Sequence, residues 1–416
     1  MASAPGLSSP SQRLGDTKSP SLMLVLGFWI VSNILVIGWW WLEISDTWSW
    51  IGSTDGYLLP HRLRALGITV PGLLRAVSVT VFVLAALAPL LLLFLFRKKF
   101  SNPVVLGLLV SCCLALSISA HEANLLRGQM QQSLDHEREF AHADLVEGII
   151  RPLISRIVET YVQILGDDHL GGSTLHTHVA INYMFDSLSF LAVFALGCLL
   201  LSPTSTWICL LSFAFYTQTA IYPGRMGPVF IAGGIFWQLF LLVSRRYPAA
   251  IISGLIISFA RTDVVFASAF VLLSLAAFER RWPTVKEWGV FAALIGISVL
   301  VPKLLISMHP NANFGSFLVT HGDYFTKVLG NLVNAKMAVA IASPVLAIAV
   351  VRAFSITRTM AVVLPAALIH VGIVFLIADF SETRLIIPAL GAFAFVSSEA
   401  LGNLLESKSR AEGDAA

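Results

Sequence analysis

Charge is what this sequence has least of. Only 12% of its 416 residues are Asp, Glu, Lys or Arg, while 56% are hydrophobic and the mean hydropathy is +0.81. An ordinary soluble domain carries about 25% charged residues, so a water-soluble globule is excluded and a polytopic membrane protein is expected. Cysteine is scarce too: four residues, including the adjacent pair Cys112 and Cys113, all in apolar runs. That usage supports neither a disulfide framework nor zinc-ligand spacing. The formal charge of +3 is too small to favour a nucleic-acid partner. Residues 1–20 lack an apolar run and are rich in Ser, Pro and Gly, as expected of a disordered tail. The first apolar run, 21–41, is too long for a signal-peptide core and is followed by no small-residue cleavage site.

What the chain has in abundance is apolar runs of membrane-crossing length. They fall at 21–41, 77–96, 103–120, 183–201, 207–221, 228–243, 249–260, 264–277, 288–306, 333–351, 361–378 and 385–397. The expected fold is an all-α polytopic bundle of about twelve spans. It divides into a tail at 1–20, N-terminal spans at 21–120, a large extracytoplasmic loop at 121–182, a C-terminal bundle at 183–398 and a tail at 399–416. Basic connections at Arg97-Lys98-Lys99, Arg245-Arg246, Arg280-Arg281 and Arg352 to Arg358, with Lys408 and Arg410 in the tail, alternate with mixed or acidic ones. Since cytoplasmic loops carry the Lys/Arg excess, both termini are expected in the cytoplasm. The connection bearing Arg62, Arg64 and Arg75 is an exception to this sorting.

The polar residues gather at 121–182, with His121-Glu122, Asp135-His136-Glu137-Arg138-Glu139, His142, Asp144, Glu147 and Arg151 in its first half. From Leu145 to Leu165, apolar residues recur at helical spacing, with Glu147, Arg151, Ser155 and Glu159 opposite them. This predicts an amphipathic helix lying on the membrane or on the bundle. Arg151 is restrained by Pro152. Further charges interrupt apolar runs at Arg261-Thr-Asp263 and at Asp379, Glu382 and Arg384. Ionisable residues at membrane depth are expensive and point to functional sites. Pairing of each Arg with its neighbouring acid, closing a tight helical hairpin, is the alternative.

Four places together resemble the GT-C class of membrane glycosyltransferases: Arg127-Gly-Gln129, Arg151-Pro-Leu-Ile-Ser-Arg156, Arg261-Thr-Asp263 and Glu382-Thr-Arg384-Leu-Ile-Ile-Pro388. The resemblance covers residues 104–398. It implies a multi-pass enzyme, of the kind found in a bacterial inner membrane, that uses a polyprenyl-phosphate-linked sugar on the extracytoplasmic face. Where the family pattern has Asp-Gly-Gln, this chain has Arg127, so the acid does not carry over to that position. Such a transfer implies a carboxylate to accept the acceptor hydroxyl's proton, for which Glu122, Asp135 and Asp144 are the candidates. It also implies cations at the leaving phosphate, with Arg151, Arg225, Arg261 and Arg384 as candidates and Asp263 and Glu382 orienting them.

His136 with Glu139 and His142, or His176 with His178, would suit a divalent cation, but no His-Glu-x-x-His motif or Cys pair marks a metal site. No cofactor is otherwise expected. A secondary transporter would also have about twelve spans but should show related halves with matching interrupted helices, and no internal repeat is evident. A polysaccharide polymerase or ligase would more commonly carry its largest loop late in the chain.

Overall fold

The computed structural model describes residues 21–43, 102–125, 152–165, 172–219, 230–309, 330, 357–377 and 386–413. Among them the ordered structure is helical: α1 (Leu22–Glu43), α2 (Pro103–Leu125), α3 (Pro152–Leu165), α4 (Gly172–Leu200), α5 (Pro203–Thr219), α6 (Phe230–Val243), α7 (Tyr247–Ser258), α8 (Thr262–Ala269), α9 (Val271–Phe278), α10 (Val285–Ser307), α11 (Arg358–Ile377) and α12 (Ile387–Gly413). Four are long and apolar enough to cross a membrane, with apolar stretches at His178–Leu200, Val285–Ser307, Arg358–Phe375 and Ile387–Ser407. Shorter apolar helices lie at Leu22–Ile34, Pro103–Ser119, Phe230–Val243, Tyr247–Ser258 and Thr262–Phe278. The expected spans at 77–96 and 333–351 lie outside the described residues.

A membrane class follows from which faces are left uncovered. Only 22% of the apolar window in α10 is buried, and Val285, Leu300 and Leu304 stand exposed on it. An apolar helix with so little protein around it suits a place facing hydrocarbon. By contrast α6 is apolar almost all round, and Phe230 through Leu242 are all buried. Such a helix belongs at the centre of a bundle. There α6 packs on α4, α7, α8, α11 and α12. Two glycines permit close crossings: Gly233 of α6 has Ser189 of α4 where a Cβ would be, and Gly107 of α2 receives the ring of Phe194 of α4. Small residues at such points let helix backbones approach without a hydrophobic drive from water.

Two of the short connections share one device. At the end of α6, the Arg245 amide donates to the Leu242 carbonyl (3.0 Å) and that of Arg246 to Leu241 (2.8 Å). After α9, Arg280 donates to Ala277 (3.0 Å) and Arg281 to Ala276 (2.9 Å). Both are Schellman closures, with Arg245 (φ 58°) and Arg280 (φ 52°) in the left-handed conformation usually given to Gly. Beyond the second, Thr284 and Glu287 form a capping box at the start of α10, and Arg281 meets Glu287 bidentately at 2.6 and 2.7 Å. Arg281 also holds Glu279 at 2.6 Å, and the two carboxylates keep its guanidinium above its ordinary pKa.

The structure redraws three expected boundaries. The polar segment was expected to open at His121, but α2 continues to Leu125 and keeps Glu122 helical. At its other end α4 begins at Gly172, so His176 and His178 belong to a helix rather than a loop. The last helix runs to Gly413, through most of the expected tail at 399–416. In the first two cases, polar side chains find partners across the α2/α4 contact, and that sustains helix where composition alone suggests a loop.

Candidate functional site

Three polar or hollow places are built into this bundle. The first is a seam between α2 and α4. His178, Asn182 and Asp186 recur every four residues on α4 and form one stripe. Ser119 and Glu122, three apart on α2, face that stripe. The Asn182 amide donates to Glu122 Oε2 at 2.8 Å and lies 3.2 Å from His178 Nδ1. The Ser119 hydroxyl donates to Asp186 Oδ2 at 2.6 Å. All five residues are fully buried. Glu122 Oε1, Asp186 Oδ1 and His178 Nε2 have no hydrogen-bond partner among the described residues.

Helical register puts the two carboxyls about one turn apart along the seam, roughly 5.4 Å. Were both ionised, repulsion at an effective dielectric of about 20 would be on the order of 3 kcal/mol, on top of desolvation. The only Lys or Arg described on α1 to α6 is Arg156 of α3, which is exposed and paired with Glu159 at 2.7 Å.

The second place is the turn between α7 and α8. Arg261, in extended conformation (φ −155°), precedes the first turn of α8, where Asp263 sits at the favoured N-terminal end for an acid. Its guanidinium grips Asp263 bidentately, Nε to Oδ1 at 2.9 Å and Nη2 to Oδ2 at 2.8 Å. His370 of α11, fully buried, brings Nδ1 to 3.2 Å from Asp263 Oδ2, out of line for a hydrogen bond. Arg261 and Asp263 are thus paired with each other across the α7/α8 turn.

The third place is a cavity of about 430 Å³ among α1, α3, α4, α6 and α7, with Trp29, Leu153, Phe185, Trp237, Ile252 and Ile256 on its walls. Ile252 (62% exposed) and Ile256 (55% exposed) place its mouth on the outer, apolar face of α7. One end is bounded by α3, whose Leu153 amide donates to the Phe259 carbonyl at 3.2 Å. That bond ties the first turn of the amphipathic helix to the turn that carries Arg261. On its bundle side α3 buries Val158, Tyr161 and Val162. Burial pushes the Tyr161 phenol up to about 12.

Of the residues expected to act as the proton acceptor or at the donor phosphate, Glu122, Arg261 and Asp263 are described, and they do not meet in one place. Glu122 belongs to the α2/α4 seam, while Arg261 and Asp263 belong to the α7/α8 turn. Asp135, Asp144, Arg151, Arg225, Glu382 and Arg384 lie outside the described residues, as do Arg127, His136, Glu139 and His142. Among the described residues no group of three His, Cys, Asp or Glu side chains could hold a metal ion. His178, expected as a possible ligand, instead faces Asn182 inside the bundle.

Sequence reasoning missed Asp186, Asn182 and His370. A signal existed: Asp186 is an acid inside an apolar run, and His178, Asn182 and Asp186 repeat at helical spacing. No family model, curated protein or solved structure matches this chain.

Proposed function

We propose that this protein is a membrane glycosyltransferase of the GT-C type. In this reading it moves a sugar from a polyprenyl-phosphate donor to an extracytoplasmic glycan or lipid acceptor in cell-envelope polysaccharide synthesis. Its setting is a bacterial inner membrane, with both termini in the cytoplasm. The observation that carries the reading is the apolar cavity that opens on the outer face of α7 beside a docked amphipathic helix. Its volume lies within the roughly 300–1,000 Å³ of small-molecule sites, and its walls suit a hydrocarbon chain entering sideways from the bilayer.

The charged residues named from the sequence supply the rest. Arg151 immediately precedes the first turn of α3, which is bonded to Phe259. With Arg225 and Arg384 it is the cation set assigned to the donor phosphate, for which planar guanidinium forks are suited. Arg261, gripped by Asp263, stiffens the turn beside the cavity. Asp135 and Asp144 are the acids assigned to proton acceptance from the acceptor hydroxyl, since Glu122 is enclosed in the α2/α4 seam.

Purified protein incubated with radiolabelled polyprenyl-phosphate sugars should form labelled product. Asp144→Asn or Asp135→Asn should abolish it, and Ile256→Trp at the cavity mouth should raise KM for the donor at least tenfold with kcat little changed. The buried carboxyls of the seam favour a second reading, a cation-coupled secondary transporter. Saturable solute uptake into proteoliposomes, with no turnover of any lipid-linked sugar, would replace the first reading with the second.

A further inference from the structure

Glu122 and Asp186 need positive charge, and none of the described residues brings any to them. They are fully buried on facing helices, each bonded through one oxygen to a neutral donor, with the second oxygen unmatched. We propose that the seam between α2 and α4 is a binding site for one small monovalent cation, a sodium ion or a proton, held by the carboxyls of Glu122 and Asp186. Neither functional reading is required for this site to exist.

The donor set argues for that class of cation. The unmatched carboxylate oxygens of Glu122 and Asp186, with the Ser119 hydroxyl beside Asp186, are hard oxygen ligands. The His178 ring, held through Nδ1 against Asn182, leaves Nε2 unmatched in the same buried stripe. A divalent ion is disfavoured because no three of these acidic or imidazole groups converge on one point. A single positive charge is also what the pair requires, since it offsets one carboxylate and removes the repulsion between the two.

The other titratable groups described on the elements packed around the seam are Cys112 and Cys113 of α2, Tyr183 and Cys198 of α4, Arg156, Glu159 and Tyr161 of α3, and Cys209 and Tyr216 of α5. The one Lys or Arg among them, Arg156, is exposed and paired with Glu159 at 2.7 Å, away from the buried seam. On α1, the polar neighbour is Asn33, whose amide reaches Ser187 of α4 at 3.4 Å and whose Oδ1 is unmatched.

Two measurements on the full-length protein in nanodiscs test the site and separate its two possible occupants. If the occupant is sodium, the Tm should rise saturably by several degrees in NaCl relative to choline chloride at equal ionic strength. That rise should vanish in Asp186→Asn and Glu122→Gln. If it is a proton, NaCl should have no specific effect. A protonated-carboxyl C=O band should then appear in the hydrogen/deuterium infrared difference spectrum and be lost in either variant.

Should those variants fail to fold, the wild-type salt titration stands alone, and Ser119→Ala should shift the carboxyl band by removing a donor to Asp186. Absence of both the sodium-specific stabilisation and a protonated-carboxyl band assignable to these residues overturns the proposal.

Discussion

At the residue scale, the two left-handed arginines are the plainest departure from what a helix end prefers. Arg245 and Arg280 each occupy the position where Gly avoids a clash between Cβ and the backbone. The left-handed conformation costs an L-residue roughly 1–2 kcal/mol. Arg280→Gly and Arg245→Gly should therefore each stabilise the protein by about 1 kcal/mol and raise the Tm in detergent by a few degrees. A fall in Tm for either variant would show that its side chain contributes more to folding than its backbone strain removes. Nothing in the run Glu279-Arg-Arg281 announces this geometry. The turn is set by which carbonyls α9 leaves unpaired at its end, and by the return path of α10. The pairing of Arg261 with Asp263 was legible, because two opposite charges separated by one residue in an apolar run have few other partners.

At the element scale, amphipathic α3 was the most legible feature of the polar segment. Its periodicity gives the buried face that carries Val158, Tyr161 and Val162 and the exposed Arg156. Its docking site was not legible, since the groove between it and the neighbouring α4 is closed by the α7/α8 turn, which is far away in sequence. If the docking is held by that apolar face, Val158→Asp should release the helix, because an unpaired carboxylate cannot be left in it. Limited trypsin digestion reads this directly: cleavage after Arg156 should become at least tenfold faster than in the wild type. An unchanged digestion rate would mean that α3 is held by its ends alone.

The α2/α4 seam belongs to the same scale. Its polar residues were visible one by one, but a stripe becomes a site only when the facing helix is known.

At the scale of the whole molecule, the membrane class follows from composition and is carried by four apolar helices of crossing length. The proposed sidedness rests on where Lys and Arg fall between the spans. Single cysteines at Gln132 and Ser409, introduced after replacing the four native cysteines, test it with a membrane-impermeant thiol reagent applied to intact cells. Labelling of Gln132→Cys but not of Ser409→Cys is expected. The opposite pattern would invert the molecule and place Asp135 and Asp144 on the wrong side for an extracytoplasmic acceptor.

By itself the sequence determined that the chain is helical and lives in a bilayer, because hydrophobic content and periodicity are local properties that each segment carries alone. It also determined the amphipathic face of α3 and the charge pair at the α7/α8 turn, both written within a few residues. Only the tertiary structure decided that Glu122 sits inside a helix contact rather than in a loop, and that Asp186 stands near it. The tertiary structure also decided that five helices leave an apolar hollow open on the outer face of α7. Those outcomes depend on which helices become neighbours. In a bilayer that choice is made by small residues such as Gly107 and Gly233 and by buried hydrogen bonds, whose partners lie tens of residues away.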